Sequence, residues 1–330
     1  MTVLVLSYDD VVRALPLDAC ADAMAESLAA HARAESYMPL RSLIAPPQAS
    51  GLMGLMPAWR GGAGDDAVFA LKSICIIPGN PARGLDSHQG TVTLFDGETG
   101  VPLAILDASA VTMIRTAAVS RVATRLLARE DARALAILGA GVQARSHLDA
   151  LCAERRFETV RLYAPTEAHA RALAEAAAAD GLEVSIAASA QEAVDGADIV
   201  VTATTSREPV LRRDWLSPGA HINAVGASQP SARELDGETV AESALFCDSR
   251  ESLRNEAGDF LQATRAGLIN GEDHVRAELG EVLAGQREGR RDARELTVFR
   301  SLGLAVEDLA AAQVAVATAR RLGLGTEVEL

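Results

Sequence analysis

Apolar residues recur along this chain at two different spacings, and the change from one to the other sets out its organisation. After Pro16, which suits the first turn of a helix, Leu17, Cys20, Met24 and Leu28 fall at three- and four-residue intervals and predict an amphipathic helix. Val68 to Ile77 is a run of β-formers stopped by Pro78-Gly79 and predicts a strand. Thr91 to Phe95 and Val101 to Leu106 flank Asp96-Gly97-Glu98-Thr99-Gly100, which reads as a β-hairpin. The first ~110 residues therefore predict a mixed α+β region, an antiparallel sheet carrying helices.

From Ser109 the spacing becomes helical, with Val111, Ile114, Ala118, Val122 and Leu126 as the apolar stripe. After Asp131 strands and helices alternate. Strands are predicted at Ala134 to Leu138, Val160 to Tyr163, Glu183 to Ala187, Ile199 to Thr202 and His221 to Val225, with helices from Val142 and Glu167 and a short one before Ile199. Such alternation implies a parallel sheet with right-handed crossovers, so Ala134 to Thr205 reads as one Rossmann half. Glu307 to Leu322 predicts a last, alanine-rich helix closed by Gly323.

The turn Gly139-Ala140-Gly141-Val142-Gln143-Ala144 sits between the Ala134–Leu138 strand and the next helix, the context a dinucleotide fingerprint requires. Its glycines permit a tight turn and close backbone approach, while the helix N-terminus favours a pyrophosphate. Ala144 fills the third-glycine slot with a side chain still small enough for helix–strand packing. An ordinary strand–turn–helix is the alternative. The residue that chooses between NAD and NADP should follow about 20 positions on, at the end of the second strand. That end reads Tyr163-Ala164-Pro165-Thr166, without the carboxylate that would bind a ribose 2′-hydroxyl and repel a 2′-phosphate. Thr166, His169 and Arg171 are nearby donors, so NADP(H) is favoured over NAD(H).

Charge and composition narrow the remaining chemistry. The net charge of −14 argues against nucleic acid or an anionic membrane as partner, so an anionic substrate needs a local cluster of cations. Cys20, Cys75, Cys152 and Cys247 form no CxxC pair, and the six histidines show no metal-ligand spacing, so no metal is expected. There is no basic start with an apolar core, and no apolar run near ~18 residues, which predicts a cytoplasmic protein. Lys72 then stands out. In a strand it shares a face with Val68, Ala70, Ile74 and Ile76, while Phe69, Leu71, Cys75 and Ile77 point the other way, and neither face looks solvated. A buried lysine implies a placed anion; an edge-strand lysine reaching water is the alternative. Arg115, beside Val111, Ala118 and Val122, poses the same question, with a helix ion pair as its alternative.

Together these stretches resemble the ornithine cyclodeaminase/mu-crystallin family. The resemblance is carried by Met38-Pro39-Leu40-Arg41, Gly54-Leu55-Met56-Pro57, Leu71-Lys72, Ser87-His88-Gln89-Gly90-Thr91 and Ile114-Arg115-Thr116-Ala117-Ala118. It continues through Leu138 to Ala144, Ile222-Asn223-Ala224-Val225-Gly226 and Thr297-Val298-Phe299-Arg300-Ser301-Leu302-Gly303. It implies a substrate-binding and dimerisation domain formed by residues 1–113 and 303–330 around a Rossmann NAD(P)-binding domain at 114–302, in a homodimer. It implies that Arg41, Lys72 and Arg115 grip a substrate carboxylate, with Met56 and Leu302 at the pocket wall. Thr91, Arg115, Gly139, Gly141, Val142, Gln143, Thr166, Thr204, Val225, Gly226, Ser228 and Ser301 are the expected cofactor positions.

One departure bears on the reaction. Cyclodeaminases carry an essential aspartate just after the Val-Gly pair, where this chain has Val225-Gly226-Ala227-Ser228. A serine hydroxyl does not titrate near neutrality and cannot replace a carboxylate base. They also place an acid near the position of Gly54, which offers nothing here. Arg233-Glu234-Leu235-Asp236 and Phe246 to Glu251 resemble the ketimine reductase and alanine dehydrogenase branch instead. The expected activity is NAD(P)H-dependent reduction of a small 2-imino acid, such as a cyclic ketimine, or the reverse dehydrogenation, with Lys72, Arg115 and Ser228 as catalytic candidates. A cyclodeaminase-like lyase, a hydroxyproline dehydratase and a binding protein that retains the cofactor site are the alternatives.

Overall fold

The computed structural model describes residues 2–62 and 67–329. In chain order the first elements are β1 (Thr2–Leu6), α1 (Tyr8–Ala14), α2 (Leu17–Ala32), β2 (Ser36–Tyr37), β3 (Ser42–Ile44) and β4 (Leu52–Arg60). Next come β5 (Val68–Ile76), β6 (His88–Asp96), β7 (Pro102–Asp107) and α3 (Ala108–Leu127). The middle of the chain forms β8 (Ala134–Leu138), α4 (Val142–Glu154), β9 (Thr159–Tyr163), α5 (Glu167–Ala179), β10 (Ser185–Ile186), α6 (Ala190–Val194), β11 (Ile199–Thr202) and β12 (His221–Ala224). There follow α7 (Gly237–Glu242), β13 (Ala244–Cys247), α8 (Arg250–Glu256), α9 (Gly258–Arg265), β14 (Val275–Glu278), α10 (Leu279–Leu283), β15 (Thr297–Arg300), α11 (Ala305–Leu322) and β16 (Thr326–Glu329). The chain divides into two compact units, Met1–Ala118 with Gly303–Leu330, and Val119–Leu302.

The first unit is a sheet in the order β16-β1-β7-β6-β5-β4-β2, with β3 on β4. Most pairs are antiparallel as expected, but β1 runs parallel to β7 and antiparallel to the returning β16. β5 lies between β4 and β6, so Lys72 is not on an edge. One face of the sheet, with Met56, Ala70, Ile74, Val92 and Leu94, is buried, and α11 packs over β4, β5 and β6. Ala310, Ala311, Ala312, Ala315 and Ala319 of α11 are buried, and their small side chains let helix and sheet approach closely. The opposite face corrects the expectation that neither side of the strand is solvated. Phe69 and Met53 are exposed there, Leu71 and Cys75 half-buried, and Trp59 lies against Phe69 with ring centroids 6.5 Å apart. Pro16 stands at the N-cap of α2 rather than inside its first turn, where its missing N–H costs nothing.

The second unit is a wholly parallel sheet in the order β10-β9-β8-β11-β12-β15-β13-β14. Its first five strands follow the doubly wound order, which reverses between β8 and β11 and opens a crevice at their carboxyl ends. β8, β11 and β12 are almost entirely buried, as strands covered by helices on both faces must be. Leu135, Ile137, Ile199 and Val201 face one core with α4 and α5, while Ala136, Leu138, Val200 and Ile222 face the other. The strand expected at Glu183 to Ala187 shrinks to the edge pair Ser185–Ile186. β13, β14 and β15, which the hydrophobic pattern did not announce, extend the sheet beyond β12.

Candidate functional site

Lys72 lies on the covered face of β5, opposite Met56 in the β4 register, and only 3% of it is exposed. It does not reach water. Its Nζ donates to Thr112 Oγ1 at 2.6 Å and to Asp308 Oδ1 at 3.1 Å. Arg115, one turn along α3 from Thr112, donates from Nε to the same Asp308 oxygen at 3.1 Å and from Nη1 to Glu307 Oε2 at 2.8 Å. Its ion-pair alternative therefore holds, but both partners are themselves buried in the first turn of α11. Carboxylates at a helix N-terminus are favoured by the helix dipole, which helps hold two acids out of water. Arg41 completes the group through a 2.8 Å bond from Nη2 to Gly303 O. Gly303 has φ +79°, and a Cβ there would stand 2.7 Å from Arg115 Nη2, so glycine is what lets the chain pass the guanidinium.

The result is a cluster in which the buried Lys72 and Arg115 and the half-buried Arg41 lie with the carboxylates of Glu307 and Asp308. Burial pushes the Lys72 ammonium down to about 8, outweighing the opposing pull of Asp308, and Arg115 and Arg41 add to the fall. Such a lysine can hold or release a proton near neutrality. Glu307 and Asp308, contributed from the far end of the chain, were not anticipated. The signal lay in two acids embedded in the apolar run Ala305-Val306-Glu307-Asp308-Leu309-Ala310. A second overlooked signal is that Lys72 is the single lysine of the whole sequence. Among the described residues, no group of three His, Cys, Asp or Glu side chains could hold a metal ion.

In the second unit the Gly139–Ala144 turn lies at the topological switch. Gly139 has φ +120°, and a Cβ would meet Ala203 O at 2.3 Å, so β8 and β11 can approach there only with glycine. Gly141 is the N-cap of α4 with no side-chain cap, and the space where its Cβ would stand is open. A helix start with no side-chain cap and room beside it is what a pyrophosphate site needs. Val142 is exposed, whereas Ala144 is buried in the core. Val225 continues the sheet through a bond from its N–H to Thr202 O, and Gly226 and Thr204 lie on adjoining loops, with Thr204 O 2.0 Å from the position of a Gly226 Cβ. Ser301, at the end of β15, buries a hydroxyl that lacks a hydrogen-bond partner among the described residues. The donors around this crevice fit a dinucleotide. Thr166 makes no side-chain cap on α5, while Arg171 is exposed and paired with Glu167 at 2.6 Å.

The remaining expected positions are dispersed. Thr91 lies on the outer sheet face beside Ser73, opposite to Lys72. Ser228 is exposed in the loop after β12. Leu302 is buried, with its N–H on the Asp248 carboxylate.

Comparison with known proteins gives this chemistry a context. The family model described as "Ornithine cyclodeaminase/mu-crystallin family" matches residues 1–321. The ketimine reductase mu-crystallin of Mus musculus is 42% identical over 276 residues, 84% of this chain and 83% of that protein. The solved structure of Thermococcus litoralis Δ1-pyrroline-2-carboxylate reductase in complex with NADH and L-proline superposes with a TM-score of 0.94 at 38% identity, covering 98% of this chain and all of the other. An archaeal alanine dehydrogenase dimer with bound NAD superposes with a TM-score of 0.93 at 32% identity, covering 100% of both chains.

Proposed function

The chain belongs to the ornithine cyclodeaminase/mu-crystallin family, and on that premise we propose that it is an NAD(P)H-dependent oxidoreductase that reduces a small 2-imino acid to the amino acid, or runs the reverse. The best substrate class is a cyclic ketimine such as Δ1-pyrroline-2-carboxylate or Δ1-piperideine-2-carboxylate. The observation that carries this reading is the cluster of Arg41, Lys72 and Arg115, which gathers three cations, two of them buried, in a chain of net charge −14. A substrate carboxylate is an anion that such a cluster of cations suits. Arg115 and Arg41 bind and orient it as permanent cations, and Lys72 holds a proton at Nζ at neutral pH. The bound cofactor, when reduced, supplies hydride to the C=N carbon. Fixed charges around the carboxylate set the angle of that carbon, so that positioning rather than a strong base does most of the work.

Ser228 favours this over deamination, since the slot that carries the cyclodeaminase aspartate holds a group that cannot titrate. The acid-free end of β9 and the uncommitted Thr166 hydroxyl support NADPH as the preferred donor. The exposed apolar sheet face around Phe69, Trp59 and Met53 supports a homodimer. The test is to follow oxidation of NADPH and of NADH over a panel of cyclic imines, and of keto acids with amines, alongside a binding titration of both cofactors. Turnover of a cyclic imine with NADPH bound more tightly is expected. Ammonia release from ornithine without net cofactor oxidation would replace the reductase with a lyase, an inert chain would leave a binding protein, and tighter NADH binding would reverse the cofactor preference.

A further inference from the structure

The second unit contains a buried carboxylate that the chemistry above does not use. Glu234 is fully buried, and each of its two oxygens accepts two hydrogen bonds. Oε1 takes Thr204 N at 2.7 Å and Thr204 Oγ1 at 2.8 Å; Oε2 takes Gly226 N at 2.7 Å and Thr202 Oγ1 at 2.9 Å. Thr202 ends β11 and Thr204 follows it, while Gly226 opens the loop after β12. One side chain therefore ties together the two loops that leave adjacent strands at the crevice of the sheet. Glu234 is itself held from behind. Its N–H donates to Asp259 Oδ1 at 2.8 Å, and Asp259 forms an ion pair with Arg300 at 3.2 Å. Arg300 in turn donates to Ala224 O at 2.6 Å and to Ala227 O, on either side of Gly226. The chain Glu234–Asp259–Arg300 is thus a closed circuit around the β12 loop.

We infer that Glu234 is a positioning residue for the dinucleotide: it does not touch the cofactor but fixes the Thr204 and Val225–Ser228 loops in the shape that receives it. Two features set this apart from general core stabilisation. Its four donors belong to loop backbone and strand-end threonines at the carboxyl edge of the sheet, where a doubly wound fold binds its ligand. Two of them, Thr204 N and Gly226 N, are backbone amides that cannot rotate to find another acceptor. Only an ionised carboxylate accepts from all four. A glutamine in its place must turn its NH2 toward one pair or the other, and either orientation leaves one of those amides facing a donor.

This inference rests on the reading of the crevice as a cofactor site, and the experiment separates the two. NADPH and NADH binding is titrated on the full-length wild-type chain, on Glu234→Gln and on Thr202→Val, with circular dichroism to verify folding and steady-state kinetics at saturating cofactor. Glu234→Gln is expected to weaken binding of the preferred dinucleotide about tenfold or more, as loss of a charge-assisted bond implies, with kcat changed less than about twofold. Thr202→Val keeps shape and volume and removes one donor, so about threefold weaker binding is expected. A folded Glu234→Gln chain with wild-type affinity, or one whose kcat falls while affinity stays, overturns the assignment. Should Glu234→Gln fail to fold, unchanged affinity in Thr202→Val overturns it and weakened affinity supports it. A wild-type chain that binds neither dinucleotide overturns the underlying oxidoreductase reading instead.

Discussion

The two units concentrate positive potential by opposite means. The first does it with side chains: Lys72 and Arg115 are buried, and two carboxylates of α11 are buried with them to make that tolerable. The second does it with backbone: α4 starts at Gly141 without a side-chain cap, beside a glycine at φ +120°, and no side chain from Gly139 to Ala144 is charged. Each device suits a different anion. A dinucleotide is large, flexible and held at many points, so distributed dipoles suffice and their protonation never changes. A small carboxylate offers one contact point, and holding it firmly enough to aim an adjacent carbon takes desolvated charges at close range. Desolvated charges come with a coupled titration, which backbone dipoles do not have.

The sharpest way to separate the devices is to disable each alone. Lys72→Ala is expected to lower kcat/KM at least about a thousandfold while NADPH affinity stays near wild type. A bulky residue at Gly139 should do the reverse, abolishing cofactor binding by driving a side chain into Ala203 O. Titration of each variant with NADPH, beside imine turnover, checks both. If Lys72→Ala kept more than a tenth of wild-type turnover, the carboxylate pocket would not be where the chemistry is positioned.

Titration sharpens the comparison further. Lys72 is charged below about 8 and neutral above it, so the pocket loses one of its three cations as pH rises through that value. In the free enzyme the affinity for the carboxylate should therefore fall on the alkaline side, giving kcat/KM a limb near 8 and up to a tenfold loss per pH unit beyond it. The groups that act on Lys72 are Asp308, which raises its pKa, and Arg115 and Arg41, which lower it. Asp308→Asn should accordingly move the limb to lower pH. Because Lys72 is the sole lysine, incorporating carbon-13 lysine gives one side-chain resonance, whose midpoint reads the group directly. A midpoint near the ordinary 10.5 would show that the pocket is wetter than its burial implies.

The same contrast explains what could be read in the sequence. The backbone device is local: strand, Gly139 to Ala144 and helix follow one another within about twenty residues, so spacing alone reveals it. The hairpin from Thr91 to Leu106 and the helix stripe at Cys20, Met24 and Leu28 were legible for the same reason. The side-chain device is not local. Lys72 and Asp308 are 236 positions apart, and nothing in the periodicity of α11 distinguishes a carboxylate turned into the core from one turned to water. Lys72 itself stands out because both faces of its strand are apolar, yet only one of them is covered: the Phe69 face is exposed in the single chain. Glu234 was equally hidden, since its four partners are backbone and hydroxyl groups that become neighbours only when β11 and β12 pair.

The smallest expected effect concerns Ser228, which belongs to the backbone-built unit and occupies the slot where the family resemblance implies an acid in the cyclodeaminases. It is exposed, and its hydroxyl neither titrates near neutrality nor replaces a fixed charge. Ser228→Ala should therefore alter kcat by no more than about fivefold, with cofactor affinity little changed. Steady-state reduction of a cyclic imine by the variant measures this. A loss of a hundredfold or more would mean that the loop hydroxyl delivers a proton that the cations of the first unit cannot. The proposed division between a unit whose Lys72 titrates beside the substrate and one that holds the cofactor would then have to be redrawn.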